Sequence, residues 1–128
     1  MIRKYSKKGL EKRKEERSCL SEFFIRHVEK IKTEKLCCAN CGEKLKGCVS
    51  EVAHRLPKSN FKSIQCLDGN VIYLCGMYST NMCHSKYDGT NKQLQSLSIF
   101  SAEKEIIKEL VKKVTETINY KIYERWKI

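Results

Sequence analysis

The chain has 128 residues, enough for one small domain that buries only a modest share of its surface, so a fastening beyond the apolar core is expected. Its 26 Lys and Arg against 15 Asp and Glu leave a formal net charge of +11, which points to a polyanionic partner. The basic opening MIRKYSKKGLEKRKEERS has no apolar run behind it, so neither a membrane span nor a secretory leader is expected; the eight cysteines should then be reduced, in a cytoplasmic setting, and available to metal.

Residues 1–35 carry twelve Lys or Arg and six Glu. Within them, Leu20, Phe23, Phe24, His27, Val28 and Ile31 recur at helical spacing and predict a helix over about 10–35 with one packed face. His27 lies on or beside that stripe and is expected to be a packed structural residue. From Cys37 to Gly89 the pattern changes to short β-like runs. Cys48–His54 and Asn70–Cys75 read as the two strands of a hairpin, with 55–69 as its loop and Leu67-Asp68-Gly69-Asn70 as a turn before the second strand. Cys83–Asp88 suits a short helix that Gly89 would end. After a polar connector, Ser101 is placed to cap a long helix whose apolar face runs through Ile106, Ile107, Leu110, Val111, Val114, Ile118 and Ile122. That face would be buried against the N-terminal helix or in a homodimer.

Cys38 and Cys41 stand at CxxC spacing, which turns two sulfurs toward one ion at about 2.3 Å. Cys75 and Cys83, at a strand end and a helix start, would complete a four-thiolate zinc site, and Cys37 is an alternative to Cys38. Cys19, Cys37, Cys48 and Cys66 are expected to be small buried apolar residues.

The ordered set Glu51-x-Ala53-His54-x-x-Pro57, Asn70 with Val-Ile-Tyr-Leu-Cys75, and Cys83-His84 resembles the HNH nucleases. LCGMYSTNMCH in particular resembles the expanded segment of small HNH proteins of tailed bacteriophages. The resemblance covers roughly residues 38–89 and implies an α+β fold: a zinc-stapled ββα-metal core flanked by N- and C-terminal helices. The whole would be one domain, with 1–36 a basic helical segment, 37–89 the core and 90–128 a connector and helix. It further implies cleavage of DNA with a catalytic Mg²⁺ or Mn²⁺ beside the structural Zn²⁺, and a role in phage genome packaging, recombination or processing in the host cytoplasm, alone or with other phage proteins.

Phosphodiester hydrolysis needs a base near neutral pH and a cation on the phosphate. His54 is the expected general base and His84 the metal ligand, while Asn70 would hold the loop and orient His54 through its amide. Arg55, Lys58 and Lys86 are the expected nucleic-acid contacts. The family commonly carries Asp or His directly before the base, and here that position is Ala53. Asp88, one helical turn after His84, is the first candidate to replace it, and Glu51, on the same strand side as Ala53, the second. The alternative is a non-catalytic zinc-binding DNA-binding or adaptor protein with a degenerate HNH fold.

Overall fold

A computed structural model describes residues 7–128; the first six residues of the basic segment lie outside the described residues. Helix α1 (Lys7–Glu34) buries Phe23, His27 and Ile31, which lie four residues apart and so fall on one face. It closes with Lys35 in the left-handed region at φ 50°, while the Leu36 N–H returns to the Ile31 carbonyl at 3.1 Å.

The centre is an antiparallel hairpin of β1 (Val52–His54) and β2 (Val71–Tyr73), registered Val52 to Tyr73, Ala53 to Ile72 and His54 to Val71. Backbone bonds carry the same register outward: the Leu74 N–H donates to Glu51 O at 3.0 Å and the Arg55 N–H to Asn70 O at 2.9 Å. Side chains alternate, so Val52 and His54 face an open cleft while Ala53 is fully enclosed. Short 3₁₀ turns at Lys62–Ile64 and Asp68–Asn70 fold the long hairpin loop back on itself, as the turn signal before β2 predicts.

Helix α2 (Cys83–Tyr87) follows and stops at Asp88. Gly89 does not end it through a left-handed cap, because its φ is not positive. A Cβ there would instead meet the Gln93 side-chain oxygen at 2.1 Å and push it out of its cap on Thr90. The expected polar connector contains a further helix, α3 (Asn91–Gln95), opened by a reciprocal cap in which the Gln93 N–H donates to Thr90 Oγ1 and the Thr90 N–H to Gln93 Oε1.

The single long C-terminal helix is corrected to two. Helix α4 (Phe100–Leu110) has Ile99, not Ser101, at its N-cap position, and α5 (Tyr120–Trp126) is a separate short helix. The break has a local cause: β-branched Val114, Thr115, Thr117 and Ile118 disfavour continuation. Glu116 also leaves the axis to accept from the Ser63 N–H at 2.9 Å, and Asn119 caps α5 by accepting from the Lys121 N–H at 2.9 Å. The apolar face is nonetheless used within the chain, since Ile107 and Leu110 are buried and Val111, Val114, Ile118 and Ile122 pack against the core, whereas Ile106, expected on that face, is exposed. Trp126, buried, stacks on Phe100 at 5.6 Å and meets Tyr87 edge-on at 5.8 Å, fastening α5 to α4 and α2.

Buried polar groups tie these layers together. Arg55 holds the Glu103 carboxylate bidentately at 2.7 and 3.0 Å, and the Tyr87 hydroxyl donates to the same carboxylate at 3.1 Å, locking α4 onto the hairpin. His27 is the packed histidine its stripe predicts: Nε2 lies 3.0 Å from Asp68 Oδ1, and Nδ1 accepts from the Tyr73 hydroxyl. Among the described residues, no buried side-chain nitrogen or oxygen lacks a partner.

Candidate metal centre and catalytic cleft

Cys38 and Cys41 sit on a knuckle after α1, in which the Gly42 N–H returns to Cys38 O at 3.0 Å. Gly42 supplies the φ of 78° that this turn needs and an L side chain resists. Cys75 follows β2, and Cys83 opens α2. The four sulfurs lie within 4.8 Å of one another, with Cys38, Cys75 and Cys83 buried and Cys41 exposed. Tetrahedral bonds of about 2.3 Å put neighbouring sulfurs about 3.8 Å apart. Cys41 and Cys75 stand 3.7 Å apart. The cluster can therefore hold a metal ion such as zinc, and Cys38 rather than Cys37 belongs to it.

Burial pushes the Cys75 thiol up and the Cys83 thiol up to about 12, even though the Asn40 amide donates to the Cys83 sulfur at 3.4 Å. Burial also pulls Cys41 upward, but the Glu43 backbone and the Asn81, Cys38 and Cys75 side chains outweigh it and leave Cys41 at about 7. A dication among the sulfurs would stabilise all four as thiolates.

The four cysteines expected to be buried bystanders are not buried. Cys37 is exposed and Cys48 is half-buried beside Ser50 Oγ at 3.3 Å. Cys19 and Cys66 are joined as a disulfide, against the expectation of reduced thiols; it ties α1 to the hairpin loop across a separation of 47 residues.

A cleft of about 620 Å³ is lined in part by His54, Arg55, Lys58, His84 and Asp88, bringing five of the sequence-selected residues to one surface. His54 Nε2 lies 2.8 Å from Gln65 O. A carbonyl only accepts, so Nε2 carries the hydrogen and Nδ1 is left as the basic atom of the neutral ring. Burial holds His54 below its ordinary value, with the Gln65 bond opposing, and Phe23 stacks on the ring at 5.2 Å. His84 Nδ1 donates to Ser50 O, which fixes Nε2 toward Asp88 Oδ2 at 3.0 Å. Asp88 first, then the Ser50 bond, against burial, raises the His84 imidazole. Two ligand atoms 3.0 Å apart match the cis edge of an octahedron with arms of about 2.1 Å, so the pair has the spacing to share a divalent cation. Gly76 permits this corner: a Cβ there would come within 2.8 Å of the Ser50 backbone.

Other selected residues lie elsewhere. Glu51 is buried and turned from the cleft; its carboxylate accepts from the Lys46, Gly47 and Cys48 N–H groups at 2.7–3.1 Å. It is a structural acid of the turn before β1, with its oxygens occupied by those donors. Ala53 is enclosed on the same side, so no β1 side chain occupies the position where the family carries a ligand. Asn70, fully buried, grips the Leu56 backbone from both sides, accepting from its N–H at 2.7 Å and donating to its carbonyl at 3.0 Å. It thus holds the loop as expected, but the Gln65 carbonyl rather than the Asn70 amide bonds His54.

Arg55 lines the cleft, but with only 15% of its side chain exposed it pairs with Glu103 and donates to the carbonyls of Gly69 and Val71, so the donors expected to meet nucleic acid are held within the protein. Lys58 is exposed on the cleft, 5.1 Å over the Phe24 ring. Lys86 is exposed on α2 but does not line the cleft. Gln65, Ser50, Glu103 and Arg125 are contributors that the sequence reading missed. The first two act through backbone carbonyls, which no side-chain pattern announces. No family model matches the chain, and neither the curated proteins nor the solved structures contain a match, so its chemistry rests on these residues and their geometry.

Proposed function

We propose that the chain is a metal-dependent DNA endonuclease of the HNH, ββα-metal kind, stapled by Zn²⁺ at Cys38, Cys41, Cys75 and Cys83. The observation that carries this reading is the shared cleft: a neutral His54 with Nδ1 left basic, on the same surface as a His84–Asp88 pair at metal-ligand spacing. Mg²⁺ or Mn²⁺ bound by His84 and Asp88 would supply positive charge to a scissile phosphate and its leaving oxygen. His54 takes a proton from the attacking water, with Gln65 O keeping the ring in the competent tautomer. Lys58 and the net charge of +11 draw the phosphate backbone to the cleft.

Supercoiled plasmid incubated with Mg²⁺, Mn²⁺ or EDTA tests this directly, with zinc content measured in parallel. His54→Ala should lose about 10²- to 10⁴-fold in cleavage while binding DNA nearly as well. Cys41→Ser should lose zinc and much of the fold, because binding free energy at such a site is folding free energy. Undiminished cleavage by His54→Ala removes that residue from the mechanism. The enclosed Ala53 favours the second reading, a zinc-bearing DNA-binding adaptor, and metal-independent binding without any cleavage by the wild type would establish it.

A further inference from the structure

Asp88 reaches the cleft from the end of a helix of only five residues, and 59% of its side chain is open to solvent. So short a helix leaves its last carbonyls without intrahelical partners and cannot by itself hold a ligand at its end. The carbonyls that flank Asp88 are those of Tyr87 and Gly89, and one guanidinium satisfies both. Arg125 Nη2 donates to Tyr87 O, and Nη1 donates to Gly89 O at 2.7 Å, with Asn91 Oδ1 at 3.4 Å. Arg125 is itself held on both sides. Its carbonyl accepts from Gln95 Nε2 at 3.0 Å, and the next residue, Trp126, is buried against Phe100 and Tyr87. Among the described residues Arg125 forms no ion pair with Asp88; its donors grip the backbone, and the carboxylate is left to its pairing with His84 at 3.0 Å.

We propose that Arg125 is a positioning residue for a divalent-cation site at His84 and Asp88, so that α5, outside the ββα core, sets how tightly the cleft binds metal. This rests on reading His84 and Asp88 as a metal pair. The guanidinium could act in two ways with opposite signs. As a nearby positive charge it repels a cation, and removing it would tighten binding. As a bracket on the Asp88 backbone it preorganises a ligand, and removing it would loosen binding.

Mn²⁺ alone is the probe, titrated into the zinc-loaded full chain and followed by its electron paramagnetic resonance signal. Arg125→Gln and Arg125→Lys should both weaken Mn²⁺ binding by about 10-fold or more, in the range for residues that orient metal ligands. The lysine variant keeps the charge but is a single point donor unable to span both carbonyls. Zinc content and Trp126 fluorescence should stay at wild-type values, and extra Mn²⁺ should restore cleavage. Lys86→Gln, on α2 and outside the cleft lining, removes the same unit of charge without touching the bracket and should not weaken binding. Wild-type or tighter Mn²⁺ binding by Arg125→Gln overturns the proposal. If that variant does not fold, wild-type affinity in Arg125→Lys overturns it. Absence of Mn²⁺ binding in the wild type, by contrast, removes the metal pair itself.

Discussion

Replacing Glu51 with Gln separates a structural acid from a metal ligand in one experiment. The carboxylate accepts from three backbone donors: Gly47 N–H at 2.7 Å and Cys48 N–H at 3.0 Å on Oε1, and Lys46 N–H at 2.9 Å on Oε2. Glutamine keeps one carbonyl oxygen and turns the other position into an NH₂ donor. The best-placed amide retains the two bonds on Oε1 and sets donor against donor at Lys46. The loss is then one charge-assisted bond, about 1.5–3 kcal/mol, plus the weakening of two others from charged to neutral acceptors. A total of about 3 kcal/mol follows, or roughly 10 °C in Tm for a domain of this size. Thermal melts by circular dichroism at fixed zinc excess read the stability, and Mn²⁺ titrations of plasmid cleavage read the metal site. Glu51→Gln should melt lower yet titrate with Mn²⁺ like the wild type. An unchanged Tm together with a raised Mn²⁺ requirement would refute the reasoning and return Glu51 to the cleft.

Arg55→Ala should cost about 3–5 kcal/mol, because Glu103 is left buried with only the Tyr87 hydroxyl as partner, while the salt dependence of DNA affinity stays unchanged. Lys58→Ala should do the reverse, lowering the slope of log affinity against log salt by about one with little effect on Tm. Burial lowers the His54 pKa, so the base is neutral throughout the range above about 6.5. At saturating Mg²⁺, cleavage should be level there and fall only as pH drops toward the depressed pKa; a rate still climbing well above 6.5 contradicts His54 as that base. Cys66→Ser releases a cross-link spanning 47 residues, worth up to about 4 kcal/mol of chain entropy, so Tm should fall while zinc stays bound. An unchanged melt would mean that the link to Cys19 contributes nothing in solution.

The thiol cluster was legible in the chain because its chemistry is local. CxxC spacing sets two sulfurs on one turn, and strand and helix patterns placed Cys75 and Cys83 at element ends. The hairpin, its loop and α2 were legible for the same reason, as was the packed role of His27, although the first strand, expected over 48–54, is only Val52–His54 because Val49–Glu51 forms a 3₁₀ turn. Helical spacing put His84 and Asp88 side by side.

What the sequence could not carry was where a charged side chain spends its charge. Glu51 and Arg55 read as site residues, but burial leaves each only one affordable arrangement: Glu51 on three N–H groups and Arg55 on Glu103, partners chosen by packing. The apolar period through 106–122 similarly hid a break, because period records which residues face inward and not whether one axis joins them. Carbonyl contacts such as Gln65 to His54, Ser50 to His84, and Arg125 to the residues flanking Asp88 leave no trace in side-chain pattern, since every residue has the same carbonyl. Only the folded backbone decides which of them meets the His54 or His84 ring.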